Sequence, residues 1–201
     1  MINRFILNEV SYFGPGAREV LPKEIARLGL HKALVVTDKD LIKFGVADKV
    51  LKVLETASVP YEVFSDVKPN PTVANVKAGL QAFAASGADF ILAIGGGSSI
   101  DTSKAIGIIT NNPEFSDVVS LEGVADTKNK SVPIIALPTT AGTAAEVNFY
   151  FLDNRVDHGK KNGFVRSHNN PLGVLVSCRV VFGKGGRRGG GGGWIMWSSR
   201  S

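Results

Sequence analysis

The chain contains a single cysteine, Cys178, among its 201 residues. One thiol excludes a disulfide framework and agrees with a reducing, cytoplasmic setting. Histidine is scarce too: His31, His158 and His168 are the full complement, little material for an imidazole-rich metal centre. No apolar run is long enough to cross a bilayer, so no membrane partner is expected. The segment Met1 to Val10 carries Asn3, Arg4, Asn8 and Glu9 among its apolar residues, which argues against a signal peptide. No internal repeat is present. Acidic residues run short toward the end, where Asp157 alone faces Arg155, Lys160, Lys161, Arg166, Arg179, Lys184, Arg187, Arg188 and Arg200. The net charge of +5 therefore describes the C-terminal end and not the body of the chain. A nucleic-acid partner would rest on that Arg/Gly-rich end alone, and no specific one is expected.

What is present is ordinary for a globular protein: 44% hydrophobic and 20% charged residues, in a chain long enough for one domain or one and a half. The most informative stretch is Phe90 to Lys104. An unbroken apolar run, Phe90 to Ile94, stops at Gly95-Gly96-Gly97, and a polar helix start follows. A strand, a bare-backbone turn and a helix in this order leave backbone N–H groups pointing outward where the helix dipole favours an anion, phosphate above all. The competing reading is a plain capping box, with Ser98 as N-cap and Asp101 answering from the first turn. A cap alone does not need three glycines, each of which loses extra backbone entropy on folding.

Elsewhere the periodicity alternates between helix and strand. Short strands are expected in residues 1 to 13, at Ala33 to Val36, at Tyr61 to Phe64 and from Pro133 to Leu137. Helices are expected from Ala17 to Leu28, around Val46 to Leu54, from Thr72 to Ser86 with Thr72 as cap, and from about Ser99 to Thr110. Pro69-Asn70-Pro71 makes a stiff turn. Residues 111 to 131 show little periodicity. The alternation predicts an α/β fold with a mainly parallel sheet flanked by helices, Rossmann-like in type. One domain is expected over 1–182. The glycine- and arginine-rich end, 183–201, is a low-complexity tail that cannot build a core and is expected to be disordered or artefactual.

Three strand ends then share one edge of the sheet: Thr37-Asp38, Gly95 to Ser99, and Thr139 to Thr143. Ligands of open α/β folds bind outside the carboxyl ends of strands, so these turns describe one crevice. A carboxylate at Asp38 suits a ribose hydroxyl pair and repels a 2′-phosphate, which favours NAD over NADP; the residue also suits a helix N-cap. The threonines offer hydroxyls to a nucleotide, or to their own loop.

Together these residues resemble a known family. Gly95-Gly96-Gly97-Ser98-x-x-Asp101-x-x-Lys104, followed by Pro138-Thr139-Thr140-Ala141-Gly142-Thr143-Ala144-Ala145-Glu146, is similar to the iron-containing (group III) alcohol dehydrogenases. Asn3-Arg4, Thr37-Asp38-Lys39, Pro69-Asn70-Pro71 and Ile106 to Phe115 resemble the lactaldehyde reductase (1,2-propanediol oxidoreductase) branch most. The resemblance covers residues 2 to 147. It implies an N-terminal NAD-binding domain, an all-helical domain carrying a divalent metal, usually Fe²⁺, a small alcohol or aldehyde substrate, and a homodimer. By position it implies that Asp38 holds the adenosine ribose, Asn70 lies by the nucleotide, and Gly96, Gly97, Ser98 and Ser99 cradle the pyrophosphate. Thr139, Thr140, Gly142 and Thr143 would line the adenine and ribose side, and Asp101 and Lys104 match the family's first-helix acid and base, with Asp101 counted among the cofactor-binding residues.

The departures are as specific as the matches. The family's metal ligands, one aspartate and three histidines, follow the matched region, and no ligand-bearing motif is found here; Asp153, Asp157, His158 and His168 fit no metal spacing. After Val147 only a faint echo persists, through His168-Asn169-Asn170-Pro171 and an apolar run from Leu172 to Val176, as in a truncated or frame-shifted continuation. The helical metal domain is thus missing or unreadable, and no catalytic residue is assigned. The chain is expected to be the cofactor-binding half of an NAD-dependent oxidoreductase for a short-chain alcohol or diol, itself without chemistry; the alternative is a non-catalytic nucleotide-binding module.

Overall fold

A computed structural model of the chain describes residues 10–69, 71–121 and 127–140, and the backbone of 123–124, 165–166 and 172–177. Asn70, Gly142, Thr143, the histidines His158 and His168, and the tail 183–201 lie outside the described residues.

The strands are β1 (Val10–Phe13), β2 (Ala33–Val36), β3 (Tyr61–Phe64), β4 (Phe90–Gly95), β5 (Gly123–Val124), β6 (Ile134–Pro138), β7 (Val165–Arg166) and β8 (Leu172–Ser177). The helices are α1 (Leu21–Arg27), α2 (Lys39–Lys43), α3 (Asp48–Thr56), α4 (Val73–Ser86) and α5 (Gly97–Asn111). Among the described residues six strands form one sheet in the order β1-β8-β6-β4-β2-β3, every neighbour parallel, and β5 pairs with β7 apart from it. The expected parallel α/β class is the one observed.

Burial on both faces explains the apolar strands. Alternate residues of β2, β4 and β6 divide between two cores, as the strand period of two requires. Leu34, Val36, Ile91, Ala93, Ile134 and Ala136 pack with Phe83 of α4 and Ile100 and Ile106 of α5. Ala33, Val35, Phe90, Leu92, Ile94, Ile135 and Leu137 pack with Leu21 and Ile25 of α1 and Val50 and Leu54 of α3. Strands buried on both sides read as unbroken apolar runs, which is why they stand out in the sequence.

The same division opens the crevice. The chain passes from β2 to β3 on one side, returns past β2 to β4, and then continues through β6 to β8 on the other side. After β2 it enters α3 on one face, and after β4 it enters α5 on the opposite face. The loops leaving the adjacent ends of β2 and β4 therefore diverge, which is the topological switch point where open α/β sheets bind ligands.

One expectation needs correction, and some short elements carry no period in the sequence. The segment Ala17 to Leu28 is not one helix: a 3₁₀ turn, Ala17–Val20, precedes α1, which starts with Pro22 in its first turn. Helix α2 occupies five residues that carry no legible period. The described part of residues 111 to 131 holds the 3₁₀ turns Pro113–Phe115 and Val119–Leu121 and the short strand β5. At the edge strand, Tyr12 Oη donates to the buried Glu24 at 2.7 Å and Arg27 Nε donates to it at 2.8 Å, tying β1 to α1. Burial pushes the Glu24 carboxyl up, but the two donors outweigh it and the group titrates below the usual glutamate range.

Candidate nucleotide site at the switch point

Helix α5 does not begin with the capping box that Ser98 and Asp101 suggest. It begins one residue earlier than Ser98, at Gly97, and its N-cap is Gly96 in extended backbone (φ −82°, ψ −166°), which has no side-chain oxygen to offer. The first-turn N–H groups of α5 are thus left without an N-cap side chain, at the positive end of a 15-residue helix.

The glycines before it sit close against neighbouring side chains. Gly95 has φ +151°, and a Cβ there would lie 2.3 Å from Ser99 Oγ and 2.8 Å from Ser99 Cβ. Gly96 faces the next strand end: its Cβ would lie 2.9 Å from Thr140 Oγ1. The β4 and β6 ends are joined by the Thr139 N–H donating to the Gly95 carbonyl at 2.9 Å. The two turns that the sequence places at one edge are therefore in contact.

Asp38 is the N-cap of α2, its Oδ1 accepting the Leu41 N–H at 2.8 Å. The cap reading is realised, and it employs one carboxylate oxygen while the residue still lines the crevice. Leu41 of the same helix comes within 3.5 Å of the space beside Gly95, so α2 backs the glycine turn. Thr37 is buried, and its hydroxyl has no hydrogen-bond partner among the described residues.

The crevice has a volume of about 490 Å³ and is lined by Asp38 to Leu41, Ser65 to Pro69, Gly96 to Ser99, Thr139 and Thr140. Asp38, Gly96, Gly97, Ser98, Ser99, Thr139 and Thr140 are thus brought together. Asp101 is not among the lining residues: it lies one turn down α5 and is 6% exposed. A second cleft of about 380 Å³, between α1 and α3 and lined by Arg18, Lys49 and Lys52, lies away from the glycine turn.

The wall from Ser65 to Pro69 escapes a reading of the sequence. It is held by Asn75, whose Nδ2 donates to the Asp66 carbonyl at 3.0 Å, and by a short antiparallel bridge between Asp38 and Asp66. Lys39 pairs with Asp66 at 2.5 Å, and its hydrogen bond holds the Asp66 carboxyl below the usual range. The one available signal was the cap motif: Thr72 and Asn75 form a reciprocal capping box on α4, and the amide that closes the box also reaches Asp66.

These features fit a dinucleotide diphosphate: a helix start whose N-cap brings no side chain, Gly96 where a Cβ would crowd Thr140 across the crevice, and hydroxyls beside them. Iron finds no such match, since no group of three or more His, Cys, Asp or Glu side chains is gathered to hold a metal ion among the described residues.

Residues 8–177 match the family model for iron-containing alcohol dehydrogenase. The chain belongs to the iron-containing alcohol dehydrogenase family. The family match runs past the two long motifs and includes β8, the strand that joins β1 to β6. Among curated relatives, lactaldehyde reductase of Escherichia coli (strain K12) is 48% identical over 183 residues, covering 91% of this chain and 48% of that protein. Alcohol dehydrogenase 4 of Saccharomyces cerevisiae (strain YJM789) is 32% identical, over 90% of this chain and 47% of its own length. This iron-containing alcohol dehydrogenase chain thus spans about half the length of the curated relatives it matches. A solved 1,3-propanediol oxidoreductase superposes with a TM-score of 0.81 at 36% identity, over 89% of this chain and 46% of that one. Sulfoacetaldehyde reductase from Bifidobacterium kashiwanohense, solved in complex with NAD⁺, superposes with a TM-score of 0.75 at 28% identity, over 89% and 46%. Among the described residues no helix is long and apolar enough to cross a membrane.

Proposed function

We propose that residues 1–182 form the NAD-binding domain of an oxidoreductase that interconverts a short-chain alcohol or diol with its aldehyde. The observation that carries this reading is the uncapped start of α5 beside a glycine turn, at the point where the loops after β2 and β4 diverge. The structural similarity to the NAD⁺-complexed sulfoacetaldehyde reductase and the lactaldehyde reductase relative support it.

In this reading the diphosphate lies on the N–H groups of the first turn of α5, with Gly96 admitting it and Ser98 and Ser99 beside it. Asp38 offers its second carboxylate oxygen to the adenosine ribose while Oδ1 keeps the cap on α2. Thr139 and Thr140 face the same space, and Asn70, Gly142 and Thr143 are assigned to the nucleotide by family position alone. NAD, when bound, supplies the hydride acceptor. The residues described here bind and orient it; the divalent metal of the family is assigned to sequence beyond them. The reading includes a cytoplasmic homodimer, supported by the single cysteine and by the family pattern, and it assigns no core to 183–201.

Fluorescence titration of the 201-residue chain with NADH and NADPH tests it. Saturable binding of NADH, with NADPH at least several-fold weaker because of the Asp38 charge, is expected. No saturable binding of either would overturn the proposal.

A further inference from the structure

Two ionisable groups are buried beneath the helix start without lining the crevice. Asp101 is 6% exposed, and Lys104 is 0% exposed, among the largest fully buried side chains of the molecule. Their charged ends lie 3.9 Å apart, Lys104 Nζ to Asp101 Oδ1. Burying a lysine is costly unless an anion is close, so such a pair calls for a reason.

The helical geometry supplies one. Asp101 stands four residues after Gly97 and three after Ser98, on the face that begins at the crevice. A carboxylate there opposes any anion at the helix start and offsets the dipole that would attract it. Side chains on a helix lean toward its N-terminus. The stem of Lys104, one turn deeper, therefore carries its ammonium up toward Asp101.

We infer that Lys104 is a positioning residue for diphosphate recognition: its buried ammonium cancels the repulsion of Asp101 and leaves the start of α5 effectively positive. This rests on the crevice being a diphosphate site. It assigns Asp101 to the site through charge, although Asp101 does not line the crevice.

The experiment compares ADP with adenosine as ligands of the full chain. In Lys104→Met the affinity for ADP is expected to fall about tenfold while that for adenosine is unchanged. Lys104→Arg is expected to keep both. The double variant Asp101→Asn/Lys104→Met is expected to recover ADP affinity to within a few-fold of wild type. Should Lys104→Met fail to fold, Asp101→Asn alone, which keeps the lysine charge, is expected to bind ADP several-fold tighter than the double variant. Equal losses for ADP and adenosine, or equal ADP affinity of Asp101→Asn and the double variant, would overturn the role of Lys104. If wild type binds adenosine but gains nothing from the diphosphate, the reading of the crevice fails first.

Discussion

Two helices start at the same edge of the sheet and begin in opposite ways. Helix α4 opens with Thr72 and Asn75 in a full reciprocal capping box, in which each side chain serves the other's backbone N–H. Helix α5 opens on Gly96, an N-cap that brings no side chain of its own. The difference assigns the labour: α4 is closed and structural, and while Asn75 Oδ1 accepts within the box, its Nδ2 donates to the Asp66 carbonyl and holds the crevice wall. Helix α5 is left open toward the crevice, where an anion can complete it.

Making α5 resemble α4 is the sharpest way to break this contrast. Gly96→Asp places a carboxylate at the N-cap, where the Gly96 backbone (φ −82°) accepts any residue and the exposed Thr140 side chain can turn aside. The variant is expected to lose NADH affinity by about 100-fold, because the built-in anion occupies the site. Thermal denaturation should show it as stable as wild type or more so by a few tenths of a kcal/mol, since Asp caps better than Gly. A variant that loses binding only by unfolding would refute the contrast. Gly95→Ala acts on the fold instead: a left-handed backbone and a contact with the buried Ser99 should cost about 2 kcal/mol or more in chemical denaturation. Thr72→Ala, at the closed helix, should cost about 1 kcal/mol and leave nucleotide affinity within about twofold.

The contrast is only partly visible in the sequence. Strands β2, β3, β4 and β6 are legible because apolar runs bounded by turn residues have few other readings. Helix α4 is legible to its cap, because Thr72 precedes a clear 3.6 period. The start of α5 is misread by its neighbours: Ser98 and Asp101 have capping-box spacing, and nothing local says that Gly96 closes the helix first. Helix α2 is too short to show a period, so Asp38 reads equally as turn, cap or ribose ligand. The wall from Ser65 to Pro69 enters the crevice through a bond from Asn75, nine residues away, which no local pattern encodes. Nor does the run at Leu172 announce that it pairs between β1 and β6.

The smallest expected effect lies at the edge of the sheet farthest from β3. Glu24 titrates below its unfolded range, so its contribution to stability is present above about pH 4.3 and is lost as pH falls through its folded value. Tyr12→Phe removes one of the two donors that lower it. The variant should melt slightly below wild type at pH 7, and the difference should shrink on acidification below about pH 4. A difference that is constant with pH would remove the hydroxyl from the account of Glu24.

The opposite characters of α4 and α5 can be tested most directly by backbone amide NMR of the chain titrated with ADP and, separately, adenosine. Recognition by the open helix predicts that the Gly97, Ser98 and Ser99 N–H resonances move most with ADP and little with adenosine, while those of Val73, Ala74 and Asn75 stay in place. Equal shifts at both helix starts, or ADP shifts confined to residues outside the crevice, would contradict it.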